Sequence, residues 1–370
     1  MRYFILGWCL LGLLISCADV ENLKDLESAE SEAVFAFPLL NSKLSMSELL
    51  DDLDEQGTLL VDPDGLLRFF YRGDTTIRNS DEIFDRINRS LPPIIPVLDT
   101  LIGFPASSLE FDVEKIVFKK GRLEYSFFNS NSNSIEIVVT LPQISKNGIP
   151  LSQTHNLLSF STLPLQFFDL ENATFVPKND SLFIQYQAKQ TTGELLKVSN
   201  FLMVPKNFDY YYAEGFLGSQ IFESDEDTLD IDYYDSWTRG EVAFKNPRVI
   251  INILNSFGFP AIARVEKFDV ITLDNSILPL ESAFVKDGFS FNYPTFEEVG
   301  QVKTSTFVFD TENSNMEDII RAGPTALIYD LDAISDPNQV ARGFITDSSY
   351  FAYSVDAEFP FEGSLQNFTI

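Results

Sequence analysis

Two stretches of this chain, lying more than about 100 residues apart, read alike when set in register, and a repeat of that length is a duplicated domain rather than one coil of a solenoid. They are Gly121-Arg122-Leu123-Glu124-Tyr125-Ser126-Phe127-Phe128-Asn129-Ser130 and Pro247-Arg248-Val249-Ile250-Ile251-Asn252-Ile253-Leu254-Asn255-Ser256. Each is an apolar-rich run ending in Asn-Ser. A small-residue turn follows, then a second apolar run (135–141; 261–273) and a polar turn (Lys146-Asn147-Gly148; Asp274-Asn275-Ser276). Both copies leave through an apolar-Pro-Leu step, Ile149-Pro150-Leu151 and Leu278-Pro279-Leu280. Alternation of period two recurs at Leu109, Phe111 and Val113, at Leu123, Tyr125 and Phe127, and at Leu182, Ile184 and Tyr186. Short alternating runs between turn residues predict antiparallel sandwiches rather than a parallel α/β sheet. The expected fold is mainly β, with two immunoglobulin-like β-sandwich domains at 106–222 and 223–370.

A small α+β unit is expected before them, over 35–105. Ser45-Met46-Ser47-Glu48 has the form of a capping box, and Met46, Leu49, Leu50 and Leu53 follow at helical spacing. Asp62-Pro63-Asp64-Gly65 predicts a turn between strands at 58–61 and 66–71. A second helix is predicted from Ser80 to about Leu91, where Pro92-Pro93 stops it.

The first residues carry a different message. Behind Arg2 lies an apolar run, Phe4-Ile5-Leu6-Gly7-Trp8-Cys9-Leu10-Leu11-Gly12-Leu13-Leu14-Ile15, with the length of a signal-peptide core and too short for a permanent span. It ends in Leu14-Ile15-Ser16-Cys17, which resembles the lipobox of bacterial lipoproteins. That resemblance implies a signal peptide at 1–16 and lipidation of Cys17, with Cys9 lost on processing. The acyl chains would then hold the protein at a membrane, each buried CH₂ contributing about 0.8 kcal/mol. Residues 17–34, charged and small, read as a flexible tether. Asp19 and Glu21 resemble the acidic export signals of surface lipoproteins in the Bacteroidota. The expected location is the cell envelope, anchored to the outer membrane on its periplasmic or surface-exposed face.

Charge narrows the partners. With 26 Lys+Arg against 55 Asp+Glu the formal net charge is −29, which leaves no basic face to neutralise phosphates, so no nucleic-acid partner is expected. With 45% hydrophobic residues, including 35 Phe, the chain is nevertheless built to pack cores. A single histidine, His155, and two cysteines exclude histidine-cluster and cysteine-cluster zinc sites.

The second copy, with Phe244-Lys245-Asn246-Pro247 and Asn255-Ser256-Phe257-Gly258-Phe259-Pro260, is similar to the water-stress-and-hypersensitive-response domain of late embryogenesis abundant proteins. The likeness covers about 35 residues in each copy and implies an immunoglobulin-like sandwich. Together with Phe37-Pro38-Leu39-Leu40-Asn41-Ser42 and Glu358-Phe359-Pro360-Phe361-Glu362-Gly363, these turns also resemble uncharacterised lipoproteins of the Bacteroidota. Neither resemblance carries over a catalytic residue.

Candidate sites are few. The acidic run from Glu223 to Asp235 places Asp225, Asp227, Asp230 and Asp232 where a loop would supply oxygens to calcium. The plainer reading is a solvated strand face, since Asp230 and Asp232 alternate with Leu229 and Ile231. No cofactor is expected otherwise. Tyr210, Tyr211, Tyr212 and Trp237 offer flat rings suited to a sugar face, or else pack core edges. His155 reads as a surface residue in a polar loop. The proline-interrupted apolar stretch Leu91-Pro92-Pro93-Ile94-Ile95-Pro96-Val97-Leu98, continued by Leu101-Ile102-Gly103-Phe104-Pro105, reads as an acyl-chain groove or as burial against the first sandwich. The sequence singles out no catalytic set, so a non-enzyme is expected. The expected role is structural, adhesive or ligand-binding at the envelope, toward a protein, glycan or lipid partner. The alternative is a lipid or glycan carrier, and behind it a carboxylate-based glycosidase.

Overall fold

The computed structural model describes residues 57–370 apart from 62, 64, 107–110, 191, 235–238, 337–341, 361 and 370. The signal, the tether with Cys17, the helix expected after Ser45 and Trp237 lie outside the described residues. The fold is mainly β and antiparallel throughout, as the alternation predicts.

The first sandwich grows from β6 (Asp112–Asn129) and β7 (Ile135–Lys146), the first two strands of the repeat. On β6 the buried residues alternate, with Leu123, Tyr125, Phe127 and Asn129 facing inward. One layer sets β6 between β14 (Ser199–Phe216) and the short β9 (Ser161–Thr162) and β10 (Gln166–Asp169). The other sets β7 between β8 (Ile149–Leu157) and β12 (Ser181–Gln190), with β13 (Leu195–Leu196) beyond. β11 (Thr174–Phe175) pairs with both β6 and β7 and stitches the layers together. The layers meet through rings, Tyr186 of β12 standing 5.6 Å from Phe201 of β14.

The second sandwich repeats the plan. β18 (Arg248–Asn255) lies between β22 (Lys303–Phe309) and β25 (Tyr350–Pro360). β19 (Ala261–Thr272) lies in the facing layer between β23 (Pro324–Ser335) and the short β20 (Ile277–Pro279) and β21 (Phe289–Phe291). β15 (Ile221–Phe222) and β16 (Asp227–Asp230) extend that layer on β23. Phe268–Phe309 at 5.2 Å and Phe291–Phe351 at 5.2 Å join the layers. β17 (Arg239–Phe244) and β26 (Gly363–Thr369) pair with each other.

The equivalence of the copies extends to single atoms. Asn129 and Asn255 are both buried, and each Oδ1 accepts the N–H two residues on, from Asn131 at 3.1 Å and from Phe257 at 3.0 Å. Each is an Asx turn that lifts the chain out of its layer. The later turns match as well, with Asn147 at φ 53° and Asn275 at φ 61°, a left-handed conformation that asparagine tolerates.

Strands also cross the sequence between halves. β2 (Leu67–Arg72) and β3 (Thr76–Asn79) pair with β25, β1 (Gly57–Val61) pairs with β2, and β24 (Gly343–Thr346) pairs with β14. Between β3 and the first sandwich runs α1 (Asp81–Ser90), with Asp81 and Glu82 in its first turn and Arg89 in its last, matching the helix dipole. Ile83, Phe84 and Ile87 form its buried face, and Leu91 before the prolines is already extended. Two short helices, α2 (Ala283–Asp287) and α3 (Met316–Arg321), cover the second sandwich.

Candidate functional site

Directly after α1, three prolines in Leu91-Pro92-Pro93-Ile94-Ile95-Pro96 keep the chain extended and remove N–H donors. The chain therefore pairs only briefly, as β4 (Ile95–Pro96) on β14 and β5 (Leu101–Pro105) on β12. These partners belong to opposite layers, so the segment straddles the open side of the first sandwich. Beneath it lies a cavity of about 110 Å³. Ile87 and Leu91 close one side, Phe104 and Pro105 another, and Phe118 of β6 with Tyr210 of β14 form part of the wall.

The wall is aromatic and fixed. Phe118 stands 5.2 Å from Phe208 and 5.7 Å from Tyr210, and Phe84 of α1 lies tilted 5.3 Å from Tyr210. Gly121 makes room for this cluster: a Cβ there would meet Phe208 Cδ1 at 2.8 Å, and its φ of +148° suits glycine. The polar atoms at the wall are already engaged. Tyr210 donates its hydroxyl to Asn88 Oδ1 at 2.6 Å, Asn88 Nδ2 donates to the Phe208 carbonyl at 3.1 Å, and Ser90 Oγ donates to the Ile87 carbonyl at 2.7 Å. Burial pushes the Tyr210 phenol up, so it stays a neutral donor. Among the described residues that line it, none is charged. The described lining is thus hydrocarbon apart from hydroxyls that already have partners within the protein.

The other sequence candidates fall elsewhere. Tyr210 is buried, whereas Tyr211 is exposed with the Lys119 ammonium 5.6 Å from its ring centre. Tyr212 is half-buried, donates to Glu214 at 2.8 Å and stacks on Phe344 at 6.1 Å. The three tyrosines thus serve a core, a surface and a joint rather than one sugar platform. Asp227 accepts a hydrogen bond from Tyr329 and Asp232 one from Tyr71, at 2.9 and 2.6 Å, while Asp225 and Asp230 are exposed. Leu229 and Ile231 between them are buried, which gives the run the strand-face alternation. Among the described residues, no group of three or more His, Cys, Asp or Glu converges to hold a metal.

His155 corrects its sequence reading. It sits on β8 opposite Ile137, half-buried rather than in a polar loop, with Nε2 2.6 Å from the Tyr125 hydroxyl. Tyr125 donates its one hydroxyl proton to Gln153 Oε1 at 2.5 Å, and burial lowers the imidazole pKa, which disfavours its charged form. A phenol and an amide around a neutral imidazole form a satisfied polar island at the edge of the core.

Sequence reasoning also missed two buried carboxylates and their cationic partners, laddered across β2, β25 and β18. Glu358 accepts from Arg68 Nη1 at 2.7 Å and Arg248 Nε at 2.5 Å. Two positions on, Asp356 faces Arg72 Nε at 3.5 Å and Asn252 Nδ2 at 3.0 Å, and burial pushes its carboxyl above the ordinary range. Arg68 and Arg72, four apart, and Asp356 and Glu358, two apart, each fall on one face of a strand, a signal that acquires meaning only once β2 and β25 are known to pair.

No family model matches the chain, and no curated protein matches it. Among solved structures, a candidate secreted protein from Parabacteroides distasonis is 10% identical with a TM-score of 0.23, covering 81% of this chain and 91% of that one. The structure of infectious bursal disease virus Gx strain is 11% identical with a TM-score of 0.19, covering 85% and 78%. The CBM22-1–CBM22-2 tandem domain of Paenibacillus barcinonensis Xyn10C is 10% identical with a TM-score of 0.15, covering 82% and 90%. Scores this low carry no argument about the role of this chain.

Proposed function

We propose that this chain is a lipid-anchored cell-envelope protein that works by binding an apolar ligand rather than by catalysis. The single observation behind the binding half is the cavity under the 91–105 segment, whose described lining carries no charge and whose Tyr210 and Ser90 hydroxyls are already hydrogen-bonded. The anchor half rests on Leu14-Ile15-Ser16-Cys17 behind the apolar leader. In this reading Cys17 carries the lipid, residues 18–34 hold the β body away from an outer membrane, and the body meets its ligand in the envelope.

Native mass spectrometry of the mature polypeptide, purified gently from envelope extract, tests the binding half. A co-purifying small apolar mass supports it, and a clean apo mass overturns it. Replacing Cys17 with Ala tests the anchor: loss of lipid labelling and of membrane retention is expected, and a variant that stays in the membrane fraction overturns the lipidation reading.

A further inference from the structure

We propose that the cavity between α1, the 91–105 segment and the first sandwich takes the methyl end of one acyl chain and leaves the polar end of that amphiphile in solvent. This rests on the binding reading above and names its ligand class. Three observations converge on it.

The chemistry of the wall comes first. Tyr210 and Ser90 place hydroxyls at the cavity, and each is spent on a partner within the protein, Asn88 and the Ile87 carbonyl. A ligand polar group entering here would lose water without gaining a partner, so the occupant is hydrocarbon over the length it buries.

Size comes second. At about 110 Å³ the chamber is somewhat smaller than the engineered apolar cavities of about 150 Å³ that admit benzene, and far below the roughly 300–1,000 Å³ that enclose a whole drug-sized ligand. A sterol or a complete lipid does not fit, whereas a few methylenes and a methyl do.

The third is the way in. Ile116, Phe118 and Ile144 on the inner wall are buried, while Leu91, Phe104, Leu182 and Phe208 are half-buried and Ser90 and Pro92 are exposed. The chamber is therefore open on the side of the proline segment. Along that same segment Ile94, Leu98 and Leu101 stay exposed, giving the outer part of a chain an apolar surface to lie on.

The probe is cis-parinaric acid, a fluorescent fatty acid, titrated into the soluble form that lacks the anchor cysteine, residues 18–370. One-to-one saturable uptake is expected. Two substitutions fill the chamber from different sides: Ile144→Phe from the buried wall and Ser90→Phe from the exposed mouth, the latter leaving core packing in place. Each is expected to weaken uptake at least about tenfold with a cooperative unfolding transition retained. Absence of saturable uptake by the wild type overturns the proposal, as does equal affinity in a folded Ser90→Phe variant. A wild type that refuses parinaric acid yet co-purifies with another apolar mass overturns the acyl assignment and leaves the binding reading standing. Displacement by dodecanoic acid supports the assignment. The source is separated by comparing the lipid-bearing full chain in nanodiscs with the Cys17→Ala chain: uptake only by the latter assigns the cavity to the protein's own acyl group, and uptake by both assigns it to a diffusing lipid.

Discussion

Gly258 and Phe344 make a close joint between the two sandwiches, and Gly258→Ala tests how the halves are held together. The backbones of the two residues bond reciprocally, Gly258 N to Phe344 O at 2.9 Å and Phe344 N to Gly258 O at 3.3 Å. The Phe344 ring lies over the glycine so closely that an alanine Cβ would meet two ring carbons at 2.2 Å and a third at 2.6 Å. An ordinary contact begins near 3.4 Å, so the ring must retreat by more than about 1 Å. Tyr212 at 6.1 Å and Phe296 at 5.6 Å crowd it, and the ring is fully buried. Overpacking of this kind costs about 1–3 kcal/mol, and a ring with no free side belongs at the upper end, about 3 kcal/mol. Phe344→Ala alone should cost about 3–5 kcal/mol through the void it leaves. In the double variant the alanine at 258 has room, so its cost should fall back to about that of Phe344→Ala, a coupling of about 2–3 kcal/mol. Urea unfolding of the four proteins at matched m-values measures this cycle. A Gly258→Ala variant within about 0.5 kcal/mol of wild type, or an additive double variant, would refute the steric argument.

Asn255→Ala strips partners from the Phe257 N–H and the Asn292 carbonyl, and Asn129→Ala does the same to Asn131, Asn133 and Leu158. Each should cost about 2–3 kcal/mol in chemical unfolding, and a neutral result at either position would contradict the shared turn geometry. Because burial raises the Asp356 pKa in the folded state, the unfolded chain ionises first, so this group's contribution falls as pH rises from the ordinary carboxylate range near about 4 toward its raised value. The melting-temperature difference between Asp356→Asn and wild type should therefore shift in favour of the variant between about pH 4 and 7, and parallel melting curves across that window would dismiss the account. Glu358→Ala removes the buried carboxylate that Arg68 and Arg248 share and should cost about 3 kcal/mol, measured by the same unfolding titration.

Features set by near neighbours were legible in the chain. The alternation at 123–127 and 182–186 produced buried and exposed faces as read, because a strand's side chains point to opposite sides whatever it later pairs with. The helix after Ser80 ends at Ser90, just ahead of Pro92-Pro93, and Asn129 and Asn255 each close a turn through one hydrogen bond, since prolines and Asx turns act within a few residues. Other features required distant strands to meet. His155 looked like a loop residue until β8 laid it against Tyr125, and the charge ladder existed only once β2 had joined β25. The 91–105 segment was apolar by inspection, but whether it was buried flat or stood over a cavity depended on β4 and β5 reaching opposite layers of the sandwich. Sequence alone thus determined the strands and the turns between them, which are local consequences of backbone and side-chain geometry. Tertiary structure decided the empty volume, the buried charges and the joint at Gly258, because each is a relation between surfaces that the chain brings together only when it folds.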